Sequence, residues 1–229
     1  MSLRIRELPS PNQDDRPDGT PIDMLILHYT GMRGAWEAID RLCDPAAGVS
    51  SHYVVDEDGA VLRLVPEERR AWHAGASYWR GRSDLNGRSI GIEVVNPGHD
   101  WGYRDFPALQ MAALCDLCLE VLSRHPIPGR NVVGHSDVAP DRKQDPGELF
   151  DWRGLAANGV GVWPDDAASA AMGDLDARSV LGGIGYRVDL ELATVVRAFQ
   201  RHWRPAAITG KADAETLARL RAVHALVCG

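Results

Sequence analysis

The sequence predicts an α/β fold that is followed by a small C-terminal unit of three helices. Short apolar runs typical of buried strands alternate with segments of helical periodicity up to Trp163. After Trp163 this alternation stops, and short helical segments with glycine-rich connections follow. A run of small and polar residues at 164–174 lies between the two parts and is typical of a linker. The 229 residues are enough for one medium domain and a small second one.

Several short segments are predicted as strands. Residues 24–27 form a continuous apolar run, as expected of a buried strand, and residues 89–95 are predicted as another. Residues 53–55 and 60–65 flank an Asp-Glu-Asp-Gly turn, which indicates a hairpin. Residues 132–133 are apolar and stand directly before a Gly-His pair, so they are predicted as a further short strand.

Two helices are predicted between these strands. Apolar residues recur at helical spacing over residues 36–43, and Pro45 ends that helix. A longer apolar-periodic segment over residues 109–122 predicts the second helix. Residues 1–21 are polar and rich in proline and aspartate, so we expect an irregular lead-in there. Residues 136–150 contain prolines, a glycine and mixed charges, which favours a loop.

Composition and charge exclude several classes of function. The net charge of −7 leaves no basic field that would attract nucleic acid. No apolar run is long enough to span a bilayer, and no secretory signal is evident. We therefore expect a cytoplasmic monomer, with the periplasm as the alternative location. Four cysteines are too few for a disulfide scaffold, and Cys115 and Cys118 are predicted to be small thiols buried on one helix face.

Three residues with metal-binding side chains stand at positions suited to a site. His28 and His135 each follow a predicted strand, and Asp145 lies in the loop beyond His135. Ligand sites in α/β sheets favour the carboxyl ends of strands. A catalytic zinc ion needs three protein ligands and one open position for water, and two histidines with one aspartate still let the ion acidify that water. Taken singly, a histidine after a strand is more often a hydrogen-bonded structural residue than a ligand, and most aspartates in loops are solvated or cap a turn.

The wider strings around these residues are more specific. In chain order they are Ile-Leu-His-Tyr-Thr at 26–30, Ser-His-Tyr at 51–53, Ala-Trp-His-Ala-Gly at 71–75, Ser-Ile-Gly-Ile-Glu at 89–93 and Gly-His-Ser-Asp-Val-Ala-Pro-Asp-Arg-Lys-Gln-Asp-Pro-Gly at 134–147. Together they closely resemble the type 2 N-acetylmuramoyl-L-alanine amidases, over about residues 20–163. The resemblance implies a mixed central sheet flanked by helices. It also implies hydrolysis of the amide between N-acetylmuramic acid and the L-alanine of the stem peptide.

The resemblance also implies roles for particular residues. His28, His135 and Asp145 match the zinc ligands of the family, Glu93 matches its general base, and Lys143 matches the residue that stabilises the oxyanion. The implied cofactor is Zn²⁺. The implied partner is a muropeptide, in particular an anhydromuropeptide of cell-wall recycling, or peptidoglycan itself.

Elementary chemistry supports the two catalytic roles. In an alternating strand Glu93 points away from its apolar neighbours, and a carboxylate within a sheet is costly unless it has a purpose or a partner. Close to an activated water it can accept a proton and return it to the leaving amine. Lys143 stands two residues before Asp145, so in an extended loop both side chains point the same way. An exposed strand glutamate and an exposed loop lysine are the alternative interpretations.

Contacts with the substrate are assigned on weaker grounds. Trp72 and His73 lie within one of the family strings, and Trp72 is equally well explained by packing. Arg70, Arg82 and Asn86 are candidates for contacts with peptide carboxylates and amides. His99 is assigned to the surface.

Two alternatives to a recycling amidase stay open. A non-catalytic muropeptide receptor would use the same cleft, but it would not need the complete set of zinc ligands, base and lysine. A phage-type lytic amidase is the second alternative. Some phage members carry a tyrosine where this chain has Ser51 and lack an acid at the position of Glu93, so the sequence fits the glutamate-using branch.

The domain boundaries predicted from these patterns are 1–163 for the catalytic domain, 164–174 for the linker and 175–229 for the C-terminal domain. The last segment resembles the small three-helix peptidoglycan-binding domain, with Val196, Phe199, Leu217 and Leu220 as its core. The alternative is a helical appendage that only packs against the amidase.

Overall fold

The computed structural model of the chain describes residues 4–165 and 176–229. The strands within these residues are β1 (Ile5–Glu7), β2 (Gln13–Asp15), β3 (Met24–Tyr29), β4 (Tyr53–Val55), β5 (Val61–Arg63), β6 (Arg69–Ala71), β7 (Ser89–Val94) and β8 (Val132–Gly134). The α-helices are α1 (Ala35–Cys43), α2 (Gly98–Trp101), α3 (Ala108–Arg124), α4 (His135–Val138), α5 (Trp152–Ala157), α6 (Ala177–Ile184), α7 (Leu192–Trp203) and α8 (Ala214–Cys228). Most of the predicted linker, residues 164–174, falls outside the described residues.

Six of these strands form one mixed sheet in the order β1-β5-β4-β7-β3-β8. The pairs β1–β5, β4–β7, β7–β3 and β3–β8 are parallel, whereas β4 and β5 form the antiparallel hairpin predicted from the sequence. Strands β2 and β6 pair separately as an antiparallel ribbon. The predicted α/β architecture with a mixed central sheet is confirmed.

The central strand β3 is longer than the apolar run that predicts it. It extends through His28 to Tyr29, because these residues continue the parallel pairing with β7, where His28 lies opposite Glu93 and Tyr29 opposite Val94. The expectation that His28 follows the strand is therefore wrong by two residues. The strand is buried from Met24 to His28, so the sheet itself holds the histidine rigidly.

Helix α3 covers one face of the sheet and confirms the long helix predicted there. Its residues Leu114, Leu117 and Val121 are fully buried and belong to one apolar cluster with the inner strands. Gln110 is also fully buried and donates to the carbonyl oxygens of Val55 and Val95, which ties the helix to the ends of two strands. The prediction for the cysteine pair holds for Cys118, which is fully buried, while Cys115 is half-buried.

Two segments predicted as irregular contain regular structure. The lead-in at 1–21 supplies β1 and β2, whose backbones pair with β5 and β6 far along the chain. The predicted loop 136–150 begins within α4, a single helical turn that starts at His135. Both corrections have the same cause, because neither segment has a local apolar pattern and long-range pairing or packing supplies the order.

The C-terminal segment forms the three predicted helices, α6 to α8. Val196, Phe199 and Leu220 are fully buried, and Leu217 is half-buried. The same apolar cluster includes Met24, Ile26, Val133 and Val138 of the sheet and α4, so the segment packs against the catalytic part. Across the described ranges no helix has the length and apolar composition needed to cross a membrane.

Because the two parts share one buried core, we expect urea to unfold the full chain in a single transition. Phe199→Ala should lower the free energy of unfolding by about 3–5 kcal/mol, since it leaves a cavity in that core. Circular dichroism and tryptophan fluorescence across one urea series measure this. Leu226→Ala, at a position that is 44% exposed, is the control and should leave the midpoint nearly unchanged. A separate early transition of the C-terminal helices would contradict a shared core.

Candidate active site and metal centre

Three side chains converge at one end of the central strands. The Nδ1 atoms of His28 and His135 lie 2.9 Å apart, and each lies 3.0 Å from Oδ2 of Asp145. His28 is held in β3, His135 starts α4 directly after β8, and Asp145 comes from the loop beyond. All three residues are buried.

The loop that carries Asp145 is fixed to α4 by its own backbone. The amide of Ser136 donates to the carbonyl oxygen of Asp145 at 2.9 Å, which links the two ligand-bearing segments directly. After Asp145, the Tyr103 hydroxyl donates to the carbonyl of Pro146. Gly147 has a φ of +87°, and a Cβ there would lie 2.2 Å from the Tyr103 hydroxyl oxygen, so only glycine fits this turn.

A chain of hydrogen bonds sets the proton position on His28. The Ser89 hydroxyl donates to the carbonyl of Leu85 at 2.6 Å, so its oxygen accepts from Nε2 of His73 at 3.1 Å. Nδ1 of His73 is then the acceptor for Nε2–H of His28 at 3.0 Å. Nδ1 of His28 is therefore left with a free lone pair, which faces Nδ1 of His135 and Oδ2 of Asp145. Gly91 makes room for this chain, because a Cβ there would lie 2.4 Å from the His73 ring.

His135 is oriented in the same way by a different acceptor. Its Nε2 donates to the carbonyl oxygen of Ala74 at 3.1 Å, which leaves Nδ1 free as a ligand. Both histidines therefore present Nδ1 lone pairs, and their outer nitrogens are used by neighbours. This division between inner and outer nitrogens is the usual one for histidines that bind metals.

The donor set fits a metal ion. Donor atoms 2.9–3.0 Å apart are close enough for one ion at the about 2.0–2.1 Å bond length of zinc to contact all three. Two imidazole nitrogens and one carboxylate oxygen are the ligand types that catalytic zinc sites use. The arrangement therefore indicates a metal site with room for a fourth ligand from the cleft.

The protonation states that metal binding requires are favoured by the protein. Burial, followed by the charge of His135, lowers the pKa of His28 to about 4, so its ring is neutral at physiological pH. Burial alone would raise the pKa of Asp145, but the proximity of the His135 and His28 rings outweighs it and holds that pKa well below its usual range. Neutral histidines and an ionised aspartate are the forms that bind metal.

Glu93 lies beside the three donors. The register of β3 with β7 places it opposite His28, so both side chains project from the same face of the sheet. The side chain is half-buried, and its Oε2 atom is buried with no hydrogen-bond partner among the residues that the structure describes. Burial, and secondarily the charge of Asp145, raises the pKa of Glu93 well above its ordinary value. Such a carboxyl is suited to exchanging a proton with a water or substrate in the cleft.

These residues open into a cleft of about 360 Å³. Lys143 lines it together with Glu93, His135 and Asp145, and its ammonium charge acts against the raised pKa of Glu93. The backbone amide of Lys143 donates to the carbonyl of Ala139, which fixes the start of the loop relative to α4. The five residues predicted as metal ligands, base and lysine are thus brought together by the fold.

The predicted substrate contacts divide into two groups. Trp72 and His73 line the cleft, with the Trp72 indole donating to Asp14 at 3.1 Å. Arg70, Arg82 and Asn86 are not brought to it by the structure.

Each of these three side chains has another setting. Arg70 pairs with Asp14 at 3.0 Å, and Arg82 lines a separate cavity with Asp23. The Asn86 side chain is buried and accepts from the backbone amides of His73 and Ala74, so it supports the strand end that carries the cleft residues.

Several cleft residues were not found from the sequence. Tyr29, Thr30, Arg142 and Gln144 lie within two residues of site residues inside the family strings, and that closeness in the chain is the signal that points to them. Other members come from α1 and α2 without any local signal: Arg41, His99 and Asp100.

The assignment of His99 to the surface is wrong. Its ring is half-buried, lines the cleft, and bonds to the Tyr29 hydroxyl at 2.9 Å and to Glu148 at 3.1 Å.

Comparison with known families decides what kind of site this is. Residues 18–148 match the Amidase_2 family, described as N-acetylmuramoyl-L-alanine amidase. The chain belongs to this amidase family. The matched residues include His28, Glu93, His135, Lys143 and Asp145, so the whole candidate site of the amidase lies within the shared part.

Individual relatives agree with this assignment. The amidase is 38% identical to N-acetylmuramoyl-L-alanine amidase AmiD of Escherichia coli, over 86% of this chain and 80% of that protein. It is also 38% identical to 1,6-anhydro-N-acetylmuramyl-L-alanine amidase AmpD of Escherichia coli, over 64% of this chain and 87% of that protein. The enzyme class inferred from the sequence strings is confirmed.

Solved structures show the same fold. AmpDh3 of Pseudomonas aeruginosa superposes on the amidase with a TM-score of 0.83 at 33% identity, covering 93% of this chain and 95% of that one. Escherichia coli AmiD, solved in complex with anhydro-N-acetylmuramic acid-L-Ala-D-gamma-Glu-L-Lys, gives a TM-score of 0.79 at 36% identity, with 91% of both chains covered. The likeness extends beyond the catalytic part, because these shares include the C-terminal segment.

His135→Ala removes one of the three converging donors, so the amidase should no longer retain a divalent metal after dialysis. Elemental analysis of the dialysed protein measures the stoichiometry. His125→Gln is the matched control, because that histidine lies outside the site and glutamine keeps a donor for Glu67. Wild-type metal content in His135→Ala would show that the triad is not the metal centre.

Proposed function

We propose that this amidase is a zinc enzyme that hydrolyses the amide between N-acetylmuramic acid and L-alanine in anhydromuropeptides. The observation that carries the proposal is the position of Glu93, whose unpartnered carboxylate oxygen lies beside the triad of His28, His135 and Asp145. Further support comes from the relatives. AmpD is named for the 1,6-anhydro substrate, and AmiD and AmpDh3 were solved with anhydromuropeptides.

The metal ligands and Glu93 would act together on the attacking water. When bound by His28, His135 and Asp145, zinc lowers the pKa of a water and polarises the scissile carbonyl. Glu93 accepts the proton of the attacking water, because its raised pKa makes it a better base than an exposed glutamate. The same carboxyl then donates the proton to the nitrogen of L-alanine as the amide bond breaks, so Glu93 serves as base and acid in turn.

Lys143 supplies a positive charge to the same cleft. During attack the carbonyl oxygen of the substrate gains negative charge, and an ammonium that is already in place stabilises that charge without reorganisation. Because Lys143 lies between α4 and Asp145, its backbone is held on both sides. Removing a comparable oxyanion donor typically lowers kcat by about 10²–10³-fold.

The cleft combines cationic, acidic and aromatic side chains, and the cationic and aromatic ones are suited to contact a muropeptide. Stem peptides carry carboxylates, and Arg41 and Lys143 line the cleft although the chain as a whole has a net charge of −7. Trp72 lines the cleft and offers an aromatic surface on which a sugar ring can stack. A receptor without catalysis would bind the same ligand but would have no use for a base beside a metal. The cytoplasmic location and the monomeric state stay predictions.

The proposal is tested by removing and restoring the metal. Purified amidase should bind about one zinc ion and release the peptide from a soluble anhydromuropeptide, and complete chelation should abolish release until zinc is added back. Chromatography of the products measures cleavage, and intact sacculi provide a second substrate for comparison. Undiminished cleavage after complete removal of the metal would refute the zinc mechanism. Cleavage of sacculi with no cleavage of the soluble compound would refute the substrate assignment.

Glu93→Gln keeps the shape of the side chain but removes its capacity to take up a proton. We expect zinc content to stay at the wild-type value while kcat falls by about 10²–10⁴-fold, the range typical of a general acid–base residue. Steady-state kinetics together with elemental analysis separate the two effects. Glu68→Gln, at an exposed position, is the control and should retain full activity. A kcat near the wild-type value in Glu93→Gln would exclude Glu93 from proton transfer.

A further inference from the structure

A fully buried carboxylate connects the C-terminal segment with the metal site. Asp137 stands two residues after His135 on α4, and its side chain is shielded from water. Its Oδ1 accepts from the hydroxyl of Tyr186 at 2.5 Å, and its Oδ2 accepts from Nδ1 of His202 at 2.7 Å and from the amide of Gly134 at 2.8 Å. Two of these three donors belong to the C-terminal segment.

The two donors from the C-terminal segment are themselves held rigidly. The ring of His202 is stacked between Trp152, at 3.9 Å between ring centroids, and Trp203, at 4.0 Å. The Trp203 indole donates to the Tyr186 hydroxyl at 3.2 Å, so the hydroxyl that donates to Asp137 is itself held by a second hydrogen bond. Tyr186, His202 and Trp203 are all buried, and this leaves them little freedom to follow a moving partner.

Burial makes Asp137 dependent on these donors. A buried carboxylate that loses its partners carries the full cost of desolvation, and the structure relaxes so that the charge reaches water. Without Tyr186 and His202, the amide of Gly134 would be the one donor left to Asp137 among the residues that the structure describes. Because Asp137 and His135 share one helical turn, a movement of the carboxylate toward water would also move His135.

A second contact reaches the other end of the same segment. Arg201, one residue before His202, donates to the Gln144 side chain at 3.3 Å. Gln144 directly precedes Asp145. Helix α7 therefore contacts a residue close to each ligand of the 135–145 segment, Asp137 near His135 and Gln144 beside Asp145. Metal sites tolerate ligand displacements of only about 0.2 Å, and support from outside the first ligands commonly decides affinity.

We propose that Tyr186 and His202 are positioning residues for the metal site, which act by holding Asp137 and with it the α4 turn that carries His135. The C-terminal segment is thus part of the catalytic unit, whether or not it also binds the wall. Both residues lie beyond the family match, which ends at residue 148. The inference rests on the proposed zinc function of the His28, His135 and Asp145 triad.

The test compares zinc affinity in variants of the full chain. Tyr186→Phe removes one hydroxyl, and His202→Leu removes the second donor. Each should weaken zinc binding by about 10–100-fold, the usual effect of losing such support, and should lower kcat on a soluble anhydromuropeptide while KM stays near the wild-type value. His202→Asn can place an amide nitrogen where Nδ1 lies, so it should recover most of the affinity lost in His202→Leu. Competition with a chromogenic chelator measures the zinc dissociation constant.

Thr216→Val is the matched control. Thr216 is fully buried and bonds to Gln200 and Arg204 within the C-terminal segment, away from Asp137, so its loss should lower Tm without changing zinc affinity. Wild-type zinc affinity in both Tyr186→Phe and His202→Leu would overturn the proposal. The proposal would also be overturned if Thr216→Val, at the same loss of Tm, weakened zinc binding as much as Tyr186→Phe and His202→Leu do. If His202→Leu does not fold, Tyr186→Phe carries the test alone. A wild-type protein that binds zinc but cleaves no muropeptide would refute the proposed function, while the zinc comparison would still decide this inference.

Discussion

The parallel register of β3 with its two neighbours is the constraint on which the site depends. Pairing with β7 places His28 opposite Glu93, and pairing with β8 places Leu27 opposite Gly134, so that His135 emerges beside His28. A shift of either strand by one residue would turn one of these side chains to the other face. Because β3 is buried from Met24 to His28, its apolar residues fix the register and thereby the spacing of the reactive groups.

The surroundings of two carboxylates in this buried site shift their pKa values in opposite directions. Asp145 lies 3.0 Å from Nδ1 of His28 and of His135, and these two rings hold its pKa low, which suits it to bind a metal. Glu93 has a buried oxygen with no hydrogen-bond partner in the described part of the chain. Burial, and after it the charge of Asp145, raises the pKa of Glu93 and suits it to exchange protons. Such a divergence is typical of sites that perform acid–base chemistry at neutral pH. The chain through His73 and Ser89 completes the arrangement by fixing which nitrogen of His28 faces the metal position.

The C-terminal helices meet the catalytic part through a polar contact as well as an apolar one. Phe199 belongs to one apolar cluster with Ile26 and Val133, and burial of this apolar surface stabilises the contact without fixing its orientation. The hydrogen bonds from Tyr186 and His202 to Asp137 fix the orientation of this contact, because a buried carboxylate accepts only in defined geometries. This contact explains how a segment outside the family match can matter to the metal site.

The sequence by itself determined the family, the α/β class and the long helix α3. It also predicted five site residues that the fold brings together: His28, Glu93, His135, Lys143 and Asp145. Contiguous strings and helical periodicity carry that information locally. Only the tertiary structure decided what depends on distant partners. Strands β1 and β2 form through pairing with β5 and β6, although Ile5 is the one apolar residue of these two strands. The tertiary structure also decided that Arg70, Arg82 and Asn86 lie away from the cleft and that His99 lines it. It likewise decided that Asp137 is buried beneath the C-terminal helices. The physical reason is that burial and hydrogen-bond geometry are set by residues far apart in the chain, and no local pattern records them.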